Sequence, residues 1–201
     1  MKKRFKIPLI VFGTLAVFYV VLVIIRMFHF YNLDKTNEQV AKIHNTKLTM
    51  DDVIGKNLPL DPGAEADKTI AGVDANKNGI RDDVELTIFK AYPDSAKTRA
   101  VLLQYALALQ MEVAQEVVNK ETVTEVVREQ SRAYSCVGKI LSRTDMDKYI
   151  KEGDKLHSFI DEKQRNTAER KKARTDFVEK IGSYSESENK VCDVDISILS
   201  N

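Results

Sequence analysis

The chain has 201 residues, of which 43% are hydrophobic and 30% charged, with eight glycines and four prolines. This length suits one domain with or without an appendage, and the composition argues against a largely disordered chain. The formal net charge of +1 hides an asymmetry, because residues 1–31 contain five basic and no acidic residues whereas the rest is net acidic. An acidic body argues against nucleic acid as a partner.

The N-terminal region has the pattern of a membrane anchor. Residues 7–25 carry no charge, and as a helix they would span about 28 Å, close to the roughly 30 Å hydrocarbon core of a bilayer. The basic segment 1–6 precedes them, which predicts a cytoplasmic N-terminus. A cleaved signal peptide and a buried helix of a soluble protein are the alternatives. The long apolar run, and the large residues that follow it, favour an uncleaved signal anchor.

The two cysteines are interpreted through this topology. A body outside the cytoplasm lies in an oxidising compartment, so Cys136 and Cys192 are predicted to form a disulfide. Two unpaired thiols are the alternative. No Asn-x-Ser/Thr sequon occurs, which favours a bacterial envelope. We therefore expect a single-pass membrane protein whose C-terminal domain is periplasmic or extracellular.

The body of the chain is predicted to be helical. Apolar residues recur at helical spacing over 96–118, 121–142 and 145–164, and Ser95 is a suitable N-cap for the first of these helices. A capping box from Asn166 predicts a last helix that runs to about Ile181, although one long helix from Asp145 is the alternative. The predicted fold class is all-α, an N-terminal transmembrane helix followed by a small antiparallel helical bundle with one calcium-type loop. The predicted organisation is a cytoplasmic basic segment (1–6), a transmembrane signal anchor (7–25), a stalk (32–57), an irregular segment with the calcium-type loop (58–85), a helical bundle (86–182) and a tail (183–201).

The stretch GVDANKNGIRDDVE, residues 72–85, has the spacing of a calcium-binding loop. Oxygen-bearing side chains stand at positions 1, 3, 5, 9 and 12 of a twelve-residue loop, and Gly79 at position 6 permits the sharp turn that the loop requires. A polar turn that merely caps the helix beginning near Asp82 is the alternative. The predicted Ca²⁺ ligands are Asp74, Asn76, Asn78, Ile80 through its carbonyl, Asp82 and Glu85.

This loop resembles an EF-hand loop, and more closely the calcium repeats of the thrombospondin type-three class. Those repeats have an aliphatic residue directly after the glycine and an aspartate at position 9, which Ile80 and Asp82 match. An ordinary EF-hand has its aliphatic residue at position 8, where this chain has Arg81. The resemblance covers residues 72–85 only, and it implies calcium ligation. A single loop with few carboxylates predicts a weak structural site, with a dissociation constant of roughly 10⁻⁴ to 10⁻³ M.

Other signals of chemistry are few. The sequence has no Cys/His spacing for zinc, no phosphate-binding glycine loop and no nucleophile elbow. His44 and His157 are predicted to be solvated, and the basic run 163–174 is predicted to be a solvated helix face or a docking surface for an acidic partner or lipid headgroups. We therefore expect a non-enzymatic protein that acts in binding or scaffolding at the membrane, with an envelope protein as a possible partner. A membrane-tethered hydrolase whose site is not visible in the sequence and an accessory subunit of an envelope complex are the alternatives.

Overall fold

The computed structural model describes residues 6–183 and 190–201, and this part of the chain is all-α, as predicted, with no strand. Parts of the predicted basic segment (1–6) and tail (183–201) lie outside the described residues. In these described ranges three short 3₁₀ helices, Gly63–Asp67, Gly138–Ile140 and Ile196–Ile198, accompany the α-helices. The α-helices are α1 (Lys6–Asn45), α2 (Met50–Ile54), α3 (Asp82–Ala91), α4 (Ala96–Ala114), α5 (Lys120–Val137), α6 (Met146–Gln164) and α7 (Ala168–Val178).

The chain divides into two compact units, Met1–Glu38 and Gln39–Asn201. The described part of the first unit is the portion of α1 up to Glu38, and large apolar side chains of this portion, including Phe12 and Phe18, are exposed. Over Val11–Asn45 this helix is long and apolar enough to cross a membrane, and its most apolar stretch is not buried in the protein. Such a helix is compatible with a single-pass membrane protein or a signal anchor.

The second unit is organised around α4. Every residue of this helix from Ala100 to Met111 is buried, and the helix packs against α2, α3, α5, α6 and α7. A helix that is apolar on all sides is characteristic of a core position. Its two buried amides bond distant backbone, because Gln104 donates to the carbonyl of Val191 at 2.8 Å and Gln110 to that of Ala71 at 2.7 Å. The helix therefore positions both the C-terminal segment and the approach to loop 72–85.

Side-chain caps set the starts of the long helices. Ser95 Oγ accepts from the backbone N–H of Thr98 at the start of α4, as predicted. The segment after α6 resolves into a separate α7 whose N-cap is Thr167, so the predicted capping box beginning at Asn166 is wrong by one residue. Helix α7 ends at Val178, before the predicted end at Ile181.

The C-terminal segment is joined to α5 through the two cysteines. The Sγ atoms of Cys136 and Cys192 lie at bonding distance, 2.07 Å, and their Cα atoms are 5.1 Å apart, so the predicted disulfide pairing is seen. Beside it, Asp193 accepts from the Arg132 guanidinium at 2.6 Å and from the backbone N–H of Leu48 at 3.0 Å. The segment is therefore held by both covalent and ionic contacts.

Candidate metal centre

Loop 72–85 turns sharply at the predicted glycine. Gly79 has a φ of 85°, in the left-handed region that glycine reaches without steric cost. A Cβ atom at this position would lie 2.7 Å from Leu107 Cδ1 in α4. Both the backbone conformation and the packing against α4 therefore call for glycine here.

Two aspartates bond the backbone of the loop. The carboxylate of Asp74 accepts from the backbone N–H groups of Asn78, at 3.1 Å, and Gly79, at 3.0 Å. Both oxygens of Asp82 accept from the N–H of Ala75 at 3.1 Å. These bonds draw the first and last parts of the loop together around its turn.

Three of the predicted ligand side chains are in direct contact. Glu85 follows in the first turn of α3, where it is 1% exposed. Its Oε2 accepts from the side-chain amide of Asn76 at 3.0 Å and its Oε1 from that of Asn78 at 3.1 Å. The groups predicted at positions 3, 5 and 12 of a calcium loop thus meet at the same carboxylate.

The electrostatics of this loop disfavour its negative charges. Burial raises the pKa of Glu85 to about 7, although the two amide donors offset part of the rise. Burial also raises the pKa of Asp82, and the neighbouring charges of Asp74 and Asp83 add to that rise. In the part of the chain that the structure describes, no Lys or Arg forms an ion pair with the carboxylates at positions 1, 9 and 12. A bound cation would reduce the free-energy cost of keeping these carboxylates ionised.

The carboxylates of the loop are not sufficient for a metal ion by themselves. Among the described residues, no three His, Cys, Asp or Glu side chains form a group that could hold one. An ion in this loop would also need the neutral oxygens of Asn76, Asn78 and the Ile80 carbonyl, which are of a kind that calcium accepts. The Ile80 side chain is fully buried in the core, and its N–H donates to Asn78 Oδ1 at 2.9 Å.

Arg81, the departure from the EF-hand pattern, has a structural role that the sequence did not suggest. It is fully buried, and its guanidinium bonds Asp83 through Nε at 2.5 Å and Nη2 at 2.9 Å. It also donates to the backbone carbonyls of Lys163, at 2.7 Å, and Gln164, at 3.4 Å. The last carbonyls of a helix lack donors within that helix. Arg81 therefore connects the loop to the C-terminal end of α6.

Arg170 holds the segment that precedes the loop. It belongs to the basic run 163–174, but it is 3% exposed, so the prediction of a solvated face is wrong at this position. Its Nε donates to the carbonyl of Ile70 at 3.0 Å, its Nη2 donates to that of Thr69 at 3.1 Å, and its Nη1 pairs with the Asp67 carboxylate. Within a basic run, nothing in the sequence distinguishes a buried arginine that binds backbone carbonyls from a solvated one.

The histidines also differ from expectation. His157 is 8% exposed rather than solvated, because its ring stacks on Tyr134 with centroids 3.7 Å apart, and burial lowers its pKa. His44 is partly exposed and lies between two buried carboxylates of α5, with Nε2 3.1 Å from Glu125 and Nδ1 3.4 Å from Glu129. Neither arrangement is visible in the local sequence, because the partners come from other helices.

Comparison of the chain with protein-family models, with curated proteins and with solved structures finds no match. The geometry of loop 72–85 and the character of α1 are therefore the grounds for a functional proposal.

Proposed function

We propose that this protein is anchored in a membrane by α1, places its helical unit outside the cytoplasm, and acts there in binding or scaffolding, with a calcium ion stabilising loop 72–85. The exposed apolar surface of α1 supports the anchor. The Cys136–Cys192 disulfide supports a location outside the cytoplasm, because disulfides persist in oxidising compartments. The basic residues before the apolar run support a cytoplasmic N-terminus.

The observation that carries the calcium proposal is the buried carboxylate of Glu85, which faces two side-chain amides and, among residues 6–183 and 190–201, is paired with no Lys or Arg. In each of these amides the oxygen and the nitrogen are bonded to the same carbon atom, and the nitrogen now contacts Glu85. Rotation of the side-chain amide by half a turn would put the oxygen in the place of the nitrogen. After this rotation Asn76 and Asn78 would offer oxygens towards the region that Glu85 already faces, and the bond that Asn78 Oδ1 accepts from the Ile80 N–H would be exchanged for a bond to the ion. Asp74, Asp82 and the Ile80 carbonyl would supply the other ligands.

The calcium proposal is tested by thermal unfolding of the full-length protein in lipid nanodiscs. After treatment with chelator, calcium at about ten times a millimolar dissociation constant should stabilise the fold by about 1.4 kcal/mol, which raises Tm by about 3–6 °C for a unit of this size. Asp74→Ala and Glu85→Gln should each abolish this rise. Asp51→Ala, which removes an exposed carboxylate paired with Lys56 outside the loop, should preserve it.

Two results would contradict the proposal. One is a Tm that does not respond to millimolar calcium. The other is an equal response to calcium in the wild type and in both loop variants, which would place the ion elsewhere.

The proposed topology is tested separately with a reporter enzyme fused after residue 201. A reporter that is active only outside the cytoplasm should be active in this fusion. Activity confined to a cytoplasmic reporter would reverse the orientation and remove the basis for the proposed location.

A further inference from the structure

A groove of about 590 Å³ lies on the Gln39–Asn201 unit, away from loop 72–85 in sequence and lined from four helices. This volume lies within the roughly 300–1,000 Å³ range of small-ligand sites. Side chains from α4, α5, α6 and α7 and from the turn between α6 and α7 contribute to its lining. Its lining includes Tyr105, Gln130, Tyr134, Asp161, Arg165 and Arg174.

The groove presents hydrogen-bond donors and acceptors side by side. Asp161 accepts from Arg165 Nη1 at 2.7 Å and lies 3.4 Å from the hydroxyl of Tyr105. Arg174 donates through Nη1 to Glu112 at 2.5 Å. A guanidinium has five N–H groups, and in the described part of the chain the Nε and Nη2 groups of Arg174 bond no protein acceptor. Donors and acceptors are thus both available to a ligand.

The charges of the groove balance. Arg165 and Arg174 supply two positive charges, and Asp161 with Glu112, whose side chain is 5% exposed behind Arg174, supplies two negative charges. A strongly anionic or cationic ligand would be repelled by as many of these charges as attract it. The charge balance therefore favours a neutral ligand that both donates and accepts hydrogen bonds.

An exposed aromatic ring divides this groove from a second cavity. Tyr134 is 51% exposed, and one face of its ring stacks on His157 at 3.7 Å with an interplanar angle of 7°, which fixes the ring plane. The second cavity, about 260 Å³, is also lined by Tyr134, and its charged residues are Lys139, Arg143 and Asp154, so its lining is net positive. The two cavities share Tyr134 and Ser135, and the balanced charges belong to the larger one. This larger groove, with the half-exposed ring of Tyr134 in its lining, is called the trough.

Peptide recognition of the common kinds does not suit this trough. Strand addition requires a sheet edge, and the described residues contain no strand. Docking of an amphipathic helix requires an apolar groove, whereas this one is lined mainly by charged, amide and hydroxyl-bearing side chains, with Leu109, Val127 and Ile181 as its aliphatic residues. A sugar has the complementary chemistry. Each of its hydroxyls can both donate and accept a hydrogen bond, and the C–H face of its ring packs against an aromatic ring.

From these features we infer that the trough binds a short chain of neutral sugar units, with one ring packed on Tyr134 and neighbouring hydroxyls bonded to Asp161 and Arg174. This inference rests on the binding function proposed above and specifies its ligand class. It does not depend on calcium in loop 72–85.

The inference is tested by saturation-transfer NMR on the full-length protein in nanodiscs, which avoids sugar-based detergents. Maltotetraose and a chitin tetrasaccharide are the sugar probes, and a terminally blocked tetra-alanine is the peptide probe, all at millimolar concentration. At least one sugar should receive saturation from the protein. Tyr134→Ala should weaken that binding about two- to tenfold, because it removes the aromatic face against which the sugar ring packs.

Two further variants keep the test decisive. Asp161→Asn should also weaken sugar binding, and it serves in place of Tyr134→Ala if the latter does not fold. Ile198→Ala, which alters a 71% exposed residue that does not line either cavity, should bind sugar as the wild type does.

Binding of neither sugar, binding of the peptide alone, or equal binding by the wild type and the trough variants would overturn the inference. The calcium response of Tm, measured on the same samples, decides the calcium proposal independently. A protein that responds to calcium but binds no sugar would retain the metal site and lose the sugar site.

Discussion

Replacement of Arg81 by methionine tests whether a buried guanidinium holds the loop against α6. Methionine keeps an unbranched apolar stem but removes the ion pair with Asp83 and the bonds to the carbonyls of Lys163 and Gln164. Because Arg81 is fully buried, water cannot replace its guanidinium without opening the packing around it.

The expected loss of stability follows from these contacts. Removal of one partner from a buried ion pair costs about 3–5 kcal/mol. The Asp83 side chain remains 28% exposed and can be hydrated, so the lower end, about 3 kcal/mol, applies. In a unit of this size 1 kcal/mol changes Tm by about 2–4 °C, so Arg81→Met should lower Tm by about 6–12 °C.

The assay is thermal unfolding of the full-length protein in nanodiscs, followed by far-UV circular dichroism. Asp83→Asn and the double variant complete a double-mutant cycle, in which the two substitutions should be less than additive by about 1 kcal/mol or more. Lys172→Met is the matched control, because it breaks an ion pair with Asp176 that lies on the surface. If Arg81→Met lowers Tm no more than Lys172→Met does, the guanidinium does not hold the loop against α6.

Two further predictions concern the pH response of the loop and the disulfide. The pKa of Glu85 in the folded protein, about 7, lies above its ordinary value near 4.5, so ionisation of this carboxyl costs stability as pH rises through that range. Without calcium, Tm of the wild type should therefore fall between about pH 4.5 and about pH 7 more steeply than Tm of Glu85→Gln. Parallel pH profiles of the two proteins would exclude this assignment. For the disulfide, the double variant Cys136→Ser/Cys192→Ser should have a free energy of unfolding about 4 kcal/mol lower than that of the wild type, because the disulfide closes a loop with a sequence separation of 56 residues. Urea unfolding measures this loss, and a wild-type midpoint that does not respond to reductant would contradict it.

The helices were predictable because their signals are local. The apolar residues of α4 recur on all faces, and its start is marked by Ser95, whose hydroxyl needs only the backbone of the next turn. The same holds for the turn at Gly79, whose left-handed backbone is encoded by the residue itself. Signals that are complete within a few residues can be interpreted from one sequence.

The arginine contacts could not be predicted in this way. Arg81 bonds the carbonyl of Lys163 across 82 residues, and Arg170 pairs with Asp67 across 103. In the sequence both arginines resemble ordinary solvated cations, and Arg81 was recognisable only as a departure from the EF-hand pattern. Which arginine is buried depends on the packing of α6 and α7, and no local pattern records that packing.

Distant contacts also determine that α6 and α7 are two helices and not one. Asn166, between the two helices, accepts from Arg170 at 2.6 Å and from Arg81 at 3.5 Å, and its amide donates to Asp67 at 3.1 Å. In one continuous helix the carbonyls of Lys163 and Gln164 would accept from the next turn and would not be available to Arg81. The break therefore frees the acceptors that a buried guanidinium requires. The capping signal at Thr167 permits the break, and the arginine from the calcium-type loop supplies the tertiary contacts that favour it over one long helix.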